Sequence, residues 1–158
     1  MNHKSILKGI PDSNFNRKAL ARADADPNLL TKNGSSLLHQ PVGATEHKKA
    51  LLSLGADPNL RETGTGLGLT PLHTAALSED IKLLIAAGAN INARNIQGQT
   101  PLHYAAFYFY PETVLTFLEY GAEFSADADG KTPWDYCISN PNLKDSNAYW
   151  ALNELRFK

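Results

Sequence analysis

The feature that most constrains this chain is a segment that recurs along it with a constant period. Three apolar stretches end in Gly-Ala: LLSLGADPNL (51–60), LLIAAGANIN (83–92) and TFLEYGAEFS (116–125). Their glycines, Gly55, Gly88 and Gly121, follow one another at intervals of 33 residues. Repeated units of this length stack on one another, so that each unit packs mainly against its neighbours. The period therefore predicts a stacked array of similar units.

A second marker lies between the glycines and predicts where a helix begins in each unit. It reads GLTPLHTAA (68–76), GQTPLHYAA (98–106) and GKTPWDYCI (130–138). Threonine is a favoured N-cap residue, and proline at the first helical position lacks only an N–H that would have no partner anyway. Helices are therefore predicted to begin at three Thr-Pro pairs: Thr70-Pro71, Thr100-Pro101 and Thr132-Pro133.

A second and more apolar helix is predicted to follow the first in each unit. In IKLLIAAG, for example, Ile81, Leu84 and Ile85 have helical spacing. The glycine after this helix suits the left-handed conformation that commonly follows a helix C-terminus. Segments rich in Asp, Asn and Gly come next and are typical of turns. The predicted unit is thus a turn followed by two helices.

The period of 33, the TPLHxAA motif and the terminal Gly-Ala together resemble the ankyrin repeat. The resemblance implies an all-α fold, a solenoid of stacked helix-turn-helix units with hairpin-like turns. It also implies a single domain over residues 1–158. This domain comprises a degenerate N-terminal repeat at about 5–30, central repeats at 33–61, 68–94 and 98–126, and a C-terminal capping repeat at 130–158.

The central repeats differ in length between the histidine position of the motif and the glycine. The separation is 16 residues in the first repeat, 15 in the second and 18 in the third. The turn over residues 61–69, by contrast, carries three extra residues. Since a helical turn takes about 3.6 residues, we expect the second helix of the first two repeats to be shortened by about one turn. Pro41 predicts that the first helix of the first repeat is also short.

The five histidines raise the question of a metal site. His39, His73 and His103 occupy the same position in successive repeats. Stacked helices lie about 8–10 Å apart, whereas the ligands of one zinc ion lie at about 2.0–2.1 Å, so these side chains cannot readily share an ion. The resemblance instead implies that each imidazole hydrogen-bonds the capping threonine and fixes the turn.

The sequence shows no nucleophile accompanied by its base. Cys137 occupies a position at which the preceding repeat has Ala105, which predicts a buried and unreactive thiol. An enzyme or ligand-binding domain built on this scaffold would need a convergent cluster of polar residues, and the sequence indicates none. We therefore expect no catalytic activity, no cofactor and no metal.

Composition narrows the classes of partner. The net charge of −1, without a block of like charges, gives no electrostatic basis for binding nucleic acid. The longest apolar runs are too short to span a bilayer, and the first ten residues lack the apolar stretch of a signal peptide. We expect a monomeric cytoplasmic protein, or one that reaches a host cell without a cleaved N-terminal signal.

An aromatic run places five rings within seven positions: Tyr104, Phe107, Tyr108, Phe109 and Tyr110. The resemblance implies that a partner protein binds the concave face, which consists of the turn tips and the outward side of each first helix. The residues that it assigns to this face are Ile96 and Gln97 in a turn, with Thr74, Leu77, Ser78, Tyr104, Phe107, Tyr108 and Tyr136 on first helices.

The remaining two rings of the run are expected to pack inside the array. Phe109 stands where the family usually has the glycine that ends the first helix, and Tyr110 follows it. The leading hypothesis is a non-catalytic protein–protein interaction module. The alternatives are an ankyrin effector of an intracellular bacterium that acts on a host protein, and a self-associating structural unit.

Overall fold

A computed structural model describes residues 26–40 and 45–158 of the chain. Most of the degenerate N-terminal repeat, predicted at about 5–30, lies outside these residues. The regular elements in the described ranges are one 3₁₀ helix and seven α-helices, and an isolated antiparallel bridge joins Leu30 to Ser36. The predicted all-α solenoid is confirmed.

The helices alternate between two layers. In chain order they are the 3₁₀ helix Leu37–His39, α1 Thr45–Ser53, α2 Pro71–Thr74, α3 Ser78–Ala86, α4 Pro101–Tyr108, α5 Pro111–Glu119, α6 Pro133–Cys137 and α7 Asn147–Leu155. The 3₁₀ helix, α2, α4 and α6 are the first helices of their units, and each contacts the next along one layer. The second helices α1, α3, α5 and α7 form the other layer in the same way.

The core runs between the two layers along the array. The first helices contribute Leu72 and Leu102, and the second helices contribute Leu51, Leu84 and Phe117, each almost completely buried. These three second-helix residues are spaced by 33, so the repeat period is also the period of the core. Each unit therefore covers the apolar face of its neighbour, as expected of a solenoid.

The shortening of the first two repeats falls on the first helices, and the prediction that the second helices are shortened is wrong. Helices α1, α3 and α5 each have nine residues. Their partners, the 3₁₀ helix, α2 and α4, have three, four and eight. The second helices carry the core residues that recur every 33 positions, and loss of a turn there would open the core. The additional turn of α4 ends instead in Phe107 and Tyr108, which are exposed.

In three of the first helices the cap residue and the motif histidine close the first turn, and in α6 Thr132 and Asp135 do so. In the second repeat, the backbone N–H and hydroxyl of Thr70 both lie within hydrogen-bond distance of His73 Nδ1, at 3.1 and 2.9 Å. His39 makes the same two contacts with Ser36, and His103 makes them with Thr100. Pro71 and Pro101 occupy the first helical positions after their threonines.

The other nitrogen of each motif histidine connects one repeat to the next. His39 Nε2 lies 3.0 Å from the carbonyl oxygen of Leu69, and His73 Nε2 lies 3.1 Å from that of Gln99. His103 Nε2 lies 3.1 Å from the carbonyl of Lys131. Each acceptor immediately precedes the N-cap threonine of the next unit, so one side chain fixes two successive helix starts.

The glycines at the ends of the second helices are required by backbone conformation. Gly55, Gly88 and Gly121 have φ angles of +89°, +92° and +82°. A Cβ atom at any of them would meet no atom within 4 Å. Glycine is therefore needed at these positions for its left-handed φ, which other residues rarely adopt, and not for lack of space.

A buried polar side chain closes each of the three hairpin turns that follow the first central repeat. Asn95 Oδ1 accepts the N–H groups of Gln97 and Gln99, both at 2.9 Å. Asp127 does the same in the next turn. The turn with three extra residues has Glu62, a longer side chain, which accepts from the N–H groups of Thr65 and Leu69.

The end of α4, where the family has glycine, is completed by a residue of the capping repeat. Phe109 has φ −111° and ψ −173°, an extended conformation that any residue can adopt. Buried Asn140 donates from Nδ2 to the carbonyl oxygens of Ala106 at 3.2 Å and of Phe109 at 2.9 Å. Phe109 packs against the core as predicted. Tyr110 does not, because it is the N-cap residue of α5 and is 63% exposed.

Candidate functional site

A groove of about 200 Å³ lies on the first-helix face of the array. We call it the aromatic groove, because four rings line it: Tyr104, Phe107 and Tyr108 from α4, and Tyr136 from α6. Leu67 and Gln97 from two turn tips, together with Gln99 and His103, complete its lining. Two neighbouring repeats and the turns beside them thus build the site.

The four rings form one continuous set. The centroid of Tyr108 lies 5.7 Å from that of Tyr104 and 4.6 Å from that of Phe107. Phe107 in turn lies 6.0 Å from Tyr136 with the ring planes at 85°. These separations fall in the range of about 4.5–7 Å that aromatic pairs prefer, so the rings hold one another in place.

The motif histidines support two of the rings from below. Tyr104 makes an edge-to-face contact with His73 at 5.3 Å, and Tyr136 makes the same contact with His103 at 5.6 Å. Each tyrosine stands on the histidine of the preceding repeat, and that histidine is itself fixed at both nitrogens. The floor of the groove is therefore part of the structural framework of the array.

Hydrogen bonds fix the polar atoms of the groove. The Tyr136 hydroxyl donates to Asp127 Oδ2 at 2.6 Å and accepts from Gln99 Nε2 at 2.7 Å. The Tyr104 hydroxyl accepts from Asn95 Nδ2 at 3.4 Å. Burial raises the pKa of both phenols, and the bond to Asp127 contributes further to the raised pKa of Tyr136. Burial lowers the pKa of His103, so these groups are all uncharged at neutral pH.

The rings differ in how far solvent reaches them. Phe107 is 41% exposed and Tyr108 is 61% exposed. Tyr104 and Tyr136 are only partly exposed, because each lies against a histidine and makes a hydroxyl hydrogen bond. An incoming group would therefore meet Phe107 and Tyr108 first.

Not all of the residues predicted to bind a partner lie in this groove. Gln97 does, whereas Ile96 lies at the adjoining turn tip and is 71% exposed. Thr74 is the last residue of α2, and its hydroxyl donates to the carbonyl of Pro71 at 3.0 Å.

The placement of Leu77 and Ser78 on a first helix is wrong. Helix α2 has already ended at Thr74, Leu77 is the N-cap residue of α3, and Ser78 begins α3. The Ser78 hydroxyl accepts from Thr116 Oγ1 at 2.7 Å in the second-helix layer. The early end of α2 thus removes these two residues from the first-helix face.

The three motif histidines, which could have supplied metal ligands, are used structurally. Both nitrogens of His39, His73 and His103 have hydrogen-bond partners. Across residues 26–40 and 45–158, no three His, Cys, Asp or Glu side chains come together as metal ligands would. Cys137 is buried, and burial raises its pKa to about 11, so the thiolate nucleophile is scarce at neutral pH. In the same part of the chain, no helix has the length and apolarity needed to cross a bilayer.

Sequence reasoning missed a buried ion pair in the second-helix layer. Lys48 on α1 pairs with Asp80 on α3, and neither side chain has any exposed surface. The signal was present in the repeat register, because Lys48 stands 33 residues before Ile81 and thus occupies a core position. It also missed Asn140, which no motif marks.

Known proteins that resemble this chain match it over its repeats. A family model described as ankyrin repeats (3 copies) matches residues 42–128 and 78–152. An ankyrin repeat protein of Rickettsia bellii is 32% identical over 165 residues, which covers 97% of this chain and 69% of the relative.

Other relatives are matched over smaller parts of their length. An ankyrin repeat protein of fowlpox virus is 34% identical over 133 residues, covering 80% of this chain and 30% of the relative. Protein phosphatase 1 regulatory subunit 27 of Mus musculus is 40% identical over 82 residues, covering 49% of this chain and 52% of the relative. The chain therefore spans about half or less of these two proteins.

Proposed function

The chain belongs to the ankyrin repeat family, and we propose that it is a non-catalytic module that binds a partner protein through the aromatic groove. Ankyrin repeats generally mediate protein–protein interaction, and the relatives include a regulatory subunit. Family membership alone does not identify a partner, so the proposal rests on the groove itself.

The exposed pair Phe107 and Tyr108 carries the proposal. Two large rings at 41% and 61% exposure, held against a fixed aromatic floor, make an apolar surface that water solvates poorly. Aromatic residues, Tyr in particular, are enriched among residues that dominate protein interfaces, because they bury a large area with few rotatable bonds. Because hydrogen bonds already fix the floor of the groove, few of its side chains would have to be ordered on binding.

The test is partner capture by a double variant, Phe107→Ala with Tyr108→Ala. Tyr104 is left intact because its contacts with His73 and Asn95 contribute to the fold. We expect the thermal unfolding transition to change little and the variant to lose proteins that the wild type captures. Truncating an exposed anchor residue weakens binding of the partner but leaves the folded state almost as stable. The measurement is affinity capture with quantitative mass spectrometry beside thermal unfolding.

The matched control removes two exposed tyrosines outside the groove, Tyr110→Ala with Tyr120→Ala. It should retain the same proteins as the wild type. Equal capture by the groove variant and the wild type would contradict the proposal.

Self-association is the competing use of the same surface. We propose that the protein is monomeric alone and that the groove binds a different chain. Size-exclusion chromatography with light scattering at high micromolar concentration tests this. A dimer that dissociates in the Phe107→Ala and Tyr108→Ala variant would favour the structural alternative.

The Rickettsia bellii relative supports a second proposal on the biological setting. Its match over 97% of this chain is consistent with an effector that leaves a bacterium and acts on a host protein. The alternative is a protein that acts in the cytoplasm of its own cell. A translocation reporter fused to the full chain distinguishes them: signal inside the host cell supports the effector, and signal confined to the producing cell contradicts it.

A further inference from the structure

We infer that the aromatic groove receives a positively charged side chain of the partner protein, an arginine or a lysine, between the exposed rings of Phe107 and Tyr108 and the carboxylates beside Tyr136. The inference rests on the proposed function, because it specifies the chemistry of the partner at the same site. It concerns one contact, around which the rest of the interface would be arranged.

The size of the groove favours a single side chain. Its volume is about 200 Å³, whereas pockets for small-molecule ligands and cofactors are typically about 300–1,000 Å³. The groove is also open at Phe107 and Tyr108, where solvent reaches the rings. A side chain that projects from a docked protein surface fits these dimensions.

The rings favour a cation over an apolar side chain. A guanidinium or ammonium group within about 6 Å of an aromatic centroid is attracted by the negative face of the ring. The centroids of Phe107 and Tyr108 are 4.6 Å apart, and Phe107 lies 6.0 Å from Tyr136. A cation in the groove would therefore lie beside more than one ring.

Carboxylates add charge complementarity at the Tyr136 end. Asp127 is nine-tenths buried and accepts a hydrogen bond from the Tyr136 hydroxyl at 2.6 Å. Asp129 lies two residues further along the turn and is exposed. The charges of both carboxylates contribute to the raised pKa of Tyr136, so their field reaches the groove. The exposed carboxylate of Asp129 can be reached by a cation from a partner.

The lining itself contains no competing cation. His103 is uncharged at neutral pH because burial lowers its pKa, and its two nitrogens lie within hydrogen-bond distance of Thr100 and of the carbonyl of Lys131. The positive charge of Arg94 also lowers the pKa of His103. The Arg94 guanidinium, however, already donates to the carbonyls of Gly98 and Ala126 in the turns.

The experiment is an NMR titration of the full chain with capped five-residue peptides, identical except at the central position. That position is Arg, Lys, citrulline or Leu, and citrulline is the uncharged analogue of Arg. We expect Arg or Lys to bind at least about fivefold more tightly than citrulline and Leu, which corresponds to a cation–π energy of about 1 kcal/mol. The shifted resonances should include those of Phe107, Tyr108 and Tyr136.

Four variants locate the contact. Tyr108→Leu removes the ring but keeps an apolar side chain, and it should weaken the preferred cationic peptide by about fivefold. Tyr108→Phe restores the ring and should recover most of the binding that Tyr108→Leu loses. Asp129→Asn should weaken binding, whereas Glu119→Gln, the same charge change on α5, should not.

Two results would overturn the inference. One is binding of the Leu or citrulline peptide as tight as that of both cationic peptides. The other is unchanged binding in both Tyr108→Leu and Asp129→Asn. In either case partner capture that still depends on Phe107 and Tyr108 would leave the proposed function standing, so the two failures can be told apart. The ratio of Arg to Lys affinity identifies which cation the groove prefers.

Discussion

At the scale of single residues, the buried pair of Lys48 and Asp80 departs most from its surroundings. Both side chains are completely buried, and the Thr45 hydroxyl donates to the second carboxylate oxygen of Asp80 at 2.6 Å. Removing two charges from water is costly, and their attraction offsets that cost only when their remaining hydrogen-bonding capacity is used. The pair is thus tolerated as a unit, and either partner alone would be strongly unfavourable.

We predict that Asp80→Ala lowers the free energy of unfolding by about 3–5 kcal/mol, because it leaves Lys48 buried without a partner. The double variant Lys48→Ile with Asp80→Thr should recover most of this loss. It installs the residue types that the following repeats have at the same positions, Ile81 and Thr113. Urea unfolding measures both. A loss below about 1 kcal/mol in the single variant, or no recovery in the double, would contradict the prediction.

Aligning the repeats in sequence identifies one residue of the buried ion pair but not the other. Lys48 is visible as a charged residue in an apolar column once the second helices are aligned. Asp80 lies on a different repeat, and no spacing rule connects the two. Phe109 and Tyr110 illustrate the same limit. They are adjacent and both aromatic, but only the observed start of α5 at Pro111 determines that one packs and the other is exposed.

At the scale of the helices, the sequence predicts the ends of each unit better than its middle. Thr-Pro pairs mark the start of the first helix, and glycine marks the end of the second. The distance in residues from the start of the first helix to the end of the second could therefore be predicted from the sequence. Pro111 marks the start of the second helix in the third repeat, but no proline or glycine marks that start in the second repeat, where packing sets its position. Because the core column needs nine-residue second helices, the shortening falls on the first.

Gly98 and Gly130 offer a matched test of how neighbouring turns depend on each other. They occupy equivalent positions in successive turns and have φ angles of +75° and +79°. A Cβ on Gly98 would lie 2.7 Å from the backbone nitrogen of Ala128 in the next turn, whereas one on Gly130 would meet nothing within 4 Å. That same nitrogen donates to the carbonyl of Gln97 at 3.0 Å, so the two turns touch through their backbones.

We predict that Gly130→Ala costs about 1–2 kcal/mol, the usual penalty for a left-handed conformation in a residue with a Cβ. Gly98→Ala should cost clearly more, because it also displaces the turn that contains Ala128 and disrupts the bond to Gln97. Urea unfolding of both variants gives the comparison. Equal losses would show that the contact between turns contributes little to stability.

At the scale of the whole molecule, the residues that the family resemblance assigns to the first-helix face come together in the third repeat and not in the second. Gln97, Tyr104, Phe107, Tyr108 and Tyr136 converge on one groove. Leu77 and Ser78 do not, because a residue-by-residue transfer assumes a first helix of full length and α2 has only four residues. The groove therefore lies on the third repeat, whose first helix has eight residues, beside the second repeat, whose first helix has only four.

The motif histidines form a ladder that ties successive repeats together. His39, His73 and His103 each accept hydrogen bonds at Nδ1 and donate from Nε2 to the following unit. Protonation would place a hydrogen on Nδ1, which could then no longer accept the backbone N–H of the cap residue. Burial lowers the pKa of all three, and that of His73 falls to about 4. One titration therefore acts at three interfaces of the array.

We predict that the free energy of unfolding falls as the pH is lowered from about 6.5 to 4.5. The unfolded chain binds protons at the ordinary histidine pKa of about 6.5, whereas folded His73 binds them only near pH 4. The histidine contribution is thus complete above pH 6.5 and is lost on acidification, by up to about 3 kcal/mol for His73. Carboxylates with lowered pKa, such as Asp135, add to the loss only nearer pH 4. Urea unfolding across this range measures the slope of the free energy of unfolding against pH.

The control variant His73→Asn should flatten this slope. Asp135 shows that a side-chain oxygen can accept both cap hydrogen bonds, so asparagine can replace the cap contacts of His73. A slope that is zero in the wild type, or unchanged in the variant, would contradict the prediction.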